Sequence, residues 1–199
     1  PTLDDSLINP FFLSMVGSLT RACGANGYDL LISFQEQSGN WHAEYEDSKK
    51  ADGIILLGYG DYLEYSSRLV QLVEQGTHFV RWGAVLPGHP GISIGCDNRC
   101  GGEDLTRHLL ERGCRRIGFL GDASEHYPEF LERYRGYSRA LESAGLATDP
   151  QLQINAMTTE KSGYEAACSL LERKLPFDGL FCASDLIAIG AMRALQERG

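Results

Sequence analysis

What most constrains this chain is its grammar: short aliphatic runs alternate with segments of 3.6-residue apolar periodicity, and a glycine closes nearly every helical segment. Residues 11–26 set Phe12, Met15/Val16, Leu19 and Ala22/Cys23 on one face, with Gly27 as the stop. Residues 28–34 then read as a strand, followed by a polar loop that holds Trp41. Residues 53–57 (GIILL) form a continuous apolar strand of the kind buried on both faces. A helix through Leu69, Leu72 and Val73 ends at Gly76, and strands follow at 78–82 and 92–94. The second half repeats the pattern: helix 101–112 to Gly113, strand 116–120, then a helix bearing Phe130, Tyr134, Tyr137, Leu141 and Ala144 up to Gly145. Strand 152–155, helix 160–173, strand 179–183 and helix 185–198 complete it. Strands joined by helices require right-handed crossovers and parallel sheets covered on both faces. The expected fold class is α/β.

A chain of 199 residues holds one large domain or two lobes of roughly 100 residues each. The 18 Lys and Arg against 27 Asp and Glu leave a net charge of −9, which argues against this segment itself wrapping a phosphate backbone. Its densest basic stretch, Arg107, Arg112, Arg115 and Arg116, surrounds a helix end, where cations offset the dipole. Most of the six cysteines sit in apolar periodic segments as small hydrophobes. Cys96, Cys100, His108 and Cys114 contain no CxxC pair, so no metal site is expected. No run reaches the ~18 apolar residues of a membrane span and no signal segment opens the chain, which points to the reduced cytoplasm and no membrane partner. The first helix has no strand before it and the chain stops at a helix-capping Gly199, so the sequence reads as cut at both ends.

In open α/β sheets, ligands bind beyond the carboxyl ends of strands, near helix N-termini. Four segments take that position: 6–12, Trp82-Gly83, 122–133 and 183–185. Asn9 before Pro10 is a helix cap, with or without a ligand contact, and the adjacent Phe11 and Phe12 cannot both face one core. Trp82 ends a strand either as a buried ring or as a stacking platform for the apolar face of a sugar. Arg133 near a helix start opposes the dipole, which suggests a purpose, a surface arginine being the other reading. Ser184 suits an N-cap and Asp185 the first turn behind it. Asp122, Glu125, His126, Glu129 and Glu132 read as a solvated acidic loop. There is no nucleophile elbow, Walker loop or oriented Cys/His pair, and the Gly58-Tyr59-Gly60 and Gly101-Gly102 segments make no dinucleotide fingerprint. No catalytic residue and no cofactor are expected.

An ordered series of segments spans almost the whole chain: NPFF at 9–12, GYDLL at 27–31, ADGIIL at 51–56, DN at 97–98, GG at 101–102, HLLERG at 108–113 and RRIGFLG at 115–121. It continues with RYRGY at 133–137, SGY at 162–164, FDG at 177–179 and ASDLIAIGAM at 183–192. This series resembles the effector-binding core of LacI-type bacterial transcription regulators, of the periplasmic-binding-protein type. The resemblance implies two Rossmann-like lobes, 1–95 and 96–199, around a cleft that closes on a small molecule, usually a sugar or purine. It assigns Asn9, Phe11, Phe12, Trp82, Asp97, Arg133, Ser184 and Asp185 to ligand binding, with Arg133 as the family's ligand-gripping arginine. Phe12, Met15 and Leu19 fall on the implied dimer face.

The chain also departs from the family pattern. Trp82 stands where members often carry a polar or acidic residue, and Thr158 where several place an aromatic, which moves the sugar-stacking ring to the first lobe. The resemblance therefore implies the core of a dimeric, DNA-binding, cytoplasmic regulator with a mono- or disaccharide effector. Operator DNA would be read by an N-terminal helix-turn-helix outside this chain; the family's first strand and roughly the last sixth of its core are missing as well. The competing readings are a periplasmic sugar-binding protein of a transporter and an α/β enzyme using the 122–132 carboxylates.

Overall fold

Strands of two to four residues build the sheets, and the computed structural model describes residues 10–33, 40–57 and 61–198. By internal contacts the chain divides into two units, Pro1–Gly83 with Gly88–Ile94, and Ala84–Pro87 with Gly95–Gly199.

The first unit contains helix α1 (Pro10–Ala25), strand β1 (Ile54–Leu57), helix α2 (Tyr62–Glu74), strand β2 (Phe79–Trp82) and strand β3 (Ile92–Ile94). The strands form a parallel sheet in the order β1-β2-β3, registered so that Leu57 pairs with Trp82 and Trp82 with Ile94. Asp61 caps α2 by accepting the Leu63 N–H at 3.0 Å, and Leu69 and Leu72 are buried as the periodicity anticipates.

Two features differ from the sequence reading, and a third, in β2, lay outside it. Residues 28–33 form no strand, and Tyr28, Leu31 and Ile32 are exposed; Phe34 lies outside the described residues. An apolar run reports a wish for burial, but a strand also needs a neighbouring ladder, and among the described residues none pairs with this one. The segment at Trp41, read as a polar loop, is helical, with a π-type turn at Ala43–Asp47 that buries Tyr45. Strand β2 carries a fully buried Arg81, which donates to Ser93 Oγ at 3.0 Å, lies over the Tyr62 ring and reaches His89 Nδ1 at 2.9 Å. A guanidinium only donates, so Nδ1 of His89 is the acceptor.

The second unit contains α3 (Asn98–Glu111), β4 (Ile117–Leu120), α4 (Pro128–Ser143), β5 (Gln153–Ile154), α5 (Glu160–Glu172), β6 (Gly179–Cys182) and α6 (Asp185–Arg198). The parallel order β5-β4-β6 places β4 at the centre, and all four of its residues are buried. Phe119 packs against Tyr134, Tyr137 and Phe181, with ring centroids between 5.0 and 5.5 Å. The Tyr137 hydroxyl donates to the Ile117 carbonyl at 2.6 Å.

Helices α3 and α4 pack together, as do α5 and α6, and each pair crosses on glycine. A Cβ on Gly136 would stand 2.1 Å from the Arg99 carbonyl oxygen, and one on Gly190 would stand 1.9 Å from that of Glu160. Gly102 and Gly163 are confined in the same way from the facing helices.

Two carboxylates tie this unit together. Burial opposes the charge of Glu132, but hydrogen bonds from Arg99 at 2.8 Å and Arg135 at 2.5 Å outweigh it and hold the carboxyl below the usual range. Burial likewise opposes the charge of Asp178, and the backbone N–H groups of Arg115 and Arg116 reverse the balance, again lowering it. A depressed carboxyl contributes stability that is fully present above its unfolded value, about 3.9 for Asp and 4.3 for Glu, and lost as pH falls through the folded value. The melting temperature is therefore expected to fall from about pH 4 downward, and less steeply for Glu132→Gln than for the parent. Scanning calorimetry across pH 7 to 3 checks this, and equal slopes for the two proteins would contradict it.

Candidate functional site

On the first unit, α1 spans Pro10–Ala25, and Asn9 lies outside the described residues. Of the adjacent phenylalanines, Phe12 turns inward at 6% exposure while Phe11 stays 49% exposed. Phe11 leans on Trp82, with ring centroids 6.0 Å apart, and meets Phe12 edge-on at 5.4 Å. Trp82 is half-buried and is the last residue of β2, so this aromatic pair sits at the carboxyl end of a strand. Further along α1, Met15 and Leu19 are half-buried and Leu13 is exposed.

On the second unit, Asp97 is exposed and caps α3 by accepting the Cys100 N–H at 2.9 Å. Next to it Asn98 is buried, and its Oδ1 accepts from Arg133 Nε at 2.9 Å. Arg133 lies in the second turn of α4, past the positive dipole end, so the dipole cost anticipated from sequence is smaller than a first-turn position would carry. Its Nη1 donates to the Ala183 carbonyl at the end of β6, and its guanidinium lies over the Phe130 ring at 5.4 Å. Ser184, just past β6, has its Oγ 3.4 Å from the Ile187 N–H in a weak cap, and the exposed Asp185 opens α6. Asp97, Ser184 and Asp185 thus lie at helix starts or just past a strand end of one unit, and Arg133, in the second turn of α4, reaches the Ala183 carbonyl beside two of them. A recess of about 370 Å³ in this unit is lined by 84–86, 95–99 and Glu132.

The acidic stretch 122–132 is not one solvated loop. Helix α4 starts at Pro128, which puts Glu129 and Glu132 on a helix. Asp122 closes a turn on the Ser124 N–H at 3.1 Å, Glu129 accepts the Ala84 N–H at 2.7 Å, and Glu132 joins α4 to α3 through Arg99. These three carboxylates are occupied by structural partners, which leaves little for an acid/base pair. The Glu132 to Arg135 spacing was a readable helical pair. The bonds of Glu129 and Asn98 across the fold left no signal in the sequence.

The described cysteines are all free thiols. Burial pushes the Cys182 thiol up to about 11, and the neighbouring Asp104 carboxylate raises that of Cys100, so neither is an activated nucleophile.

Residues 3–199 match the profile of the family described as periplasmic binding proteins and the sugar binding domain of the LacI family. The chain is 37% identical over 195 residues to the HTH-type transcriptional regulator RegA of Clostridium saccharobutylicum, covering 95% of this chain and 57% of RegA. It is 29% identical over 197 residues to the HTH-type transcriptional regulator GalR of Escherichia coli K12, covering 96% of this chain and 55% of GalR. Among solved structures, the complex of the transcriptional regulator CelR with cellobiose superposes with a TM-score of 0.85 at 28% identity, covering 99% of this chain and 61% of that one. The chain spans little more than half the length of these curated relatives.

Proposed function

Because the chain belongs to the family of periplasmic binding proteins and LacI sugar-binding domains, we propose that it is the effector-binding core of a transcription regulator that responds to a mono- or disaccharide. That family is one of binding domains, not enzymes. The observation that carries the sugar is the Phe11–Trp82 pair: two flat rings at the end of a strand, one half-exposed, suit the apolar face of a pyranose. Arg133, Ser184 and Asp185 on the second unit supply donors and acceptors for hydroxyl groups, and Asn9 and Asp97 complete the set. A relative of this fold is known with cellobiose bound. In this reading both units contact the same small molecule, and binding shifts the population between an open and a closed arrangement.

Titration with a panel of mono- and disaccharides, cellobiose included, tests the proposal through Trp82 emission in a Trp41→Phe background. The Trp41 indole N–H is buried and has no hydrogen-bond acceptor among the described residues, so that background removes no hydrogen bond seen there. At least one sugar is expected to saturate the signal, and Trp82→Ala is expected to weaken its calorimetric affinity about twofold to tenfold. Saturation by a nucleobase and by no sugar would replace the sugar with a purine.

The proposal extends to the protein that carries this core. Its curated relatives are HTH-type regulators, and a net charge of −9 fits a division of labour in which another segment contacts operator DNA. We place it in the cytoplasm; among the described residues no helix is long and apolar enough to cross a membrane. Pairing with a second copy through α1, around Met15 and Leu19, is part of this reading. A monomer by sedimentation of the whole protein at high concentration would remove it.

A further inference from the structure

We propose that Asn98 is the positioning residue of Arg133: by fastening the Nε side of the guanidinium to the chain crossover at Cys96, it selects the opposite edge as the one offered to a ligand. The ligand side of this inference rests on the effector role of Arg133 proposed above; the positioning itself does not.

A guanidinium carries five N–H donors in a rigid fork, so fixing two of them fixes the rest. In Arg133 the Nε–H goes to Asn98 Oδ1 at 2.9 Å and one Nη1 hydrogen goes to the Ala183 carbonyl. The Phe130 ring lies against the guanidinium at 5.4 Å. Three donors remain, all on the two terminal nitrogens, so the end of the fork and not its side is the edge left for hydroxyl oxygens. Asn98 is itself held: it is buried, and its Nδ2 donates to the Cys96 carbonyl at 3.2 Å.

Three physical points single out Asn98. It is a carboxamide, so it orients the cation without neutralising it. Ala183 and Phe130 are uncharged as well, so these contacts leave the full positive charge of Arg133 for a ligand, where a carboxylate in place of Asn98 would compete for it. Secondly, its acceptor and donor face different partners, so one side chain joins α4 to the backbone just before α3. Lastly, the α3–α4 crossing on Gly102 and Gly136 lets the backbones approach closely enough for so short a side chain to reach. A movement of Arg133 on binding would be passed through Asn98 to the Cys96 carbonyl, at the point where the chain re-enters the second unit.

NMR of the arginine side chains tests this without any ligand. In the parent, the Arg133 Nε–H is expected to exchange with water about tenfold more slowly than that of Arg107, whose guanidinium sits on the surface with Asp104. Asn98→Ala is expected to abolish that protection, and Asn98→Asp, which keeps the acceptor, to retain it. An Arg133 Nε–H as fast as that of Arg107 in the parent would overturn the positioning role, and this reading does not depend on any variant folding. A second arm measures affinity for whichever sugar saturates the parent. Asn98→Ala and Arg133→Met are expected to be non-additive, the double variant binding no worse than Arg133→Met alone; strict additivity would overturn the coupling. A protected Nε–H in a protein that binds no sugar leaves Asn98 in its role and removes only the effector reading of Arg133.

Discussion

Gly190→Ala is expected to melt about 6 to 12 °C below the parent, from a loss of roughly 3 kcal/mol, the upper end of the overpacking range. Two effects compete at this position. Alanine in a helix interior gains about 0.5 to 1 kcal/mol over glycine in backbone entropy, so propensity alone predicts a small stabilisation. Against it stands a Cβ placed 1.9 Å from the Glu160 carbonyl oxygen and 2.6 Å from the Tyr164 nitrogen. Both are backbone atoms of α5, which cannot rotate away as a side-chain tip can. The helices must separate, and the buried contacts of Ile187, Ala191 and Ala194 loosen with them. Gly101→Ala is the internal control, because nothing lies within 4 Å of the added carbon and propensity acts alone. It is expected to melt at or slightly above the parent. If both variants rise together, the glycine crossing is not what holds α5 against α6.

That contrast shows how far the sequence could be read. Gly27, Gly76, Gly113 and Gly145 were legible as helix stops because their role is local, and all four take positive φ. Gly102, Gly136, Gly163 and Gly190 were not, since what confines each of them is a helix distant in sequence. The same division runs through the strands. The four residues of β4 and the GIILL run at β1 announce themselves by composition, whereas residues 28–33 have the composition without a ladder to join. It runs through the site as well. Trp82 and Ser184 became candidates from their places at strand ends, and Arg133 from its place in a helix that follows one. Asn98 stood only as half of the DN pair at 97–98, because its bond to Arg133 spans 35 positions. In the acidic stretch the local signal was Pro128, which starts a helix and so takes Glu129 and Glu132 out of the loop.

Arg133→Met is expected to weaken the saturating sugar by about tenfold to a hundredfold, the worth of a charged hydrogen bond of roughly 1.5 to 3 kcal/mol. Methionine keeps an unbranched apolar stem that can lie on Phe130, so the packing loss is small. It removes every donor, and that has two consequences to be separated. Inside the protein, Asn98 Oδ1 and the Ala183 carbonyl lose their partner, which lowers stability whether or not any ligand exists. Towards the ligand, the three terminal N–H groups disappear, which lowers affinity alone. Measuring the melting temperature and the calorimetric dissociation constant of the same preparation tells the two apart. Arg133→Lys sharpens the comparison: an ammonium restores the charge but cannot reach Asn98, the Ala183 carbonyl and a ligand with one planar fork. Its affinity should stay close to that of Arg133→Met, because geometry and not charge alone is what the site supplies. A methionine variant that melts lower but binds the sugar as the parent does would make Arg133 a strut of the second unit and nothing more.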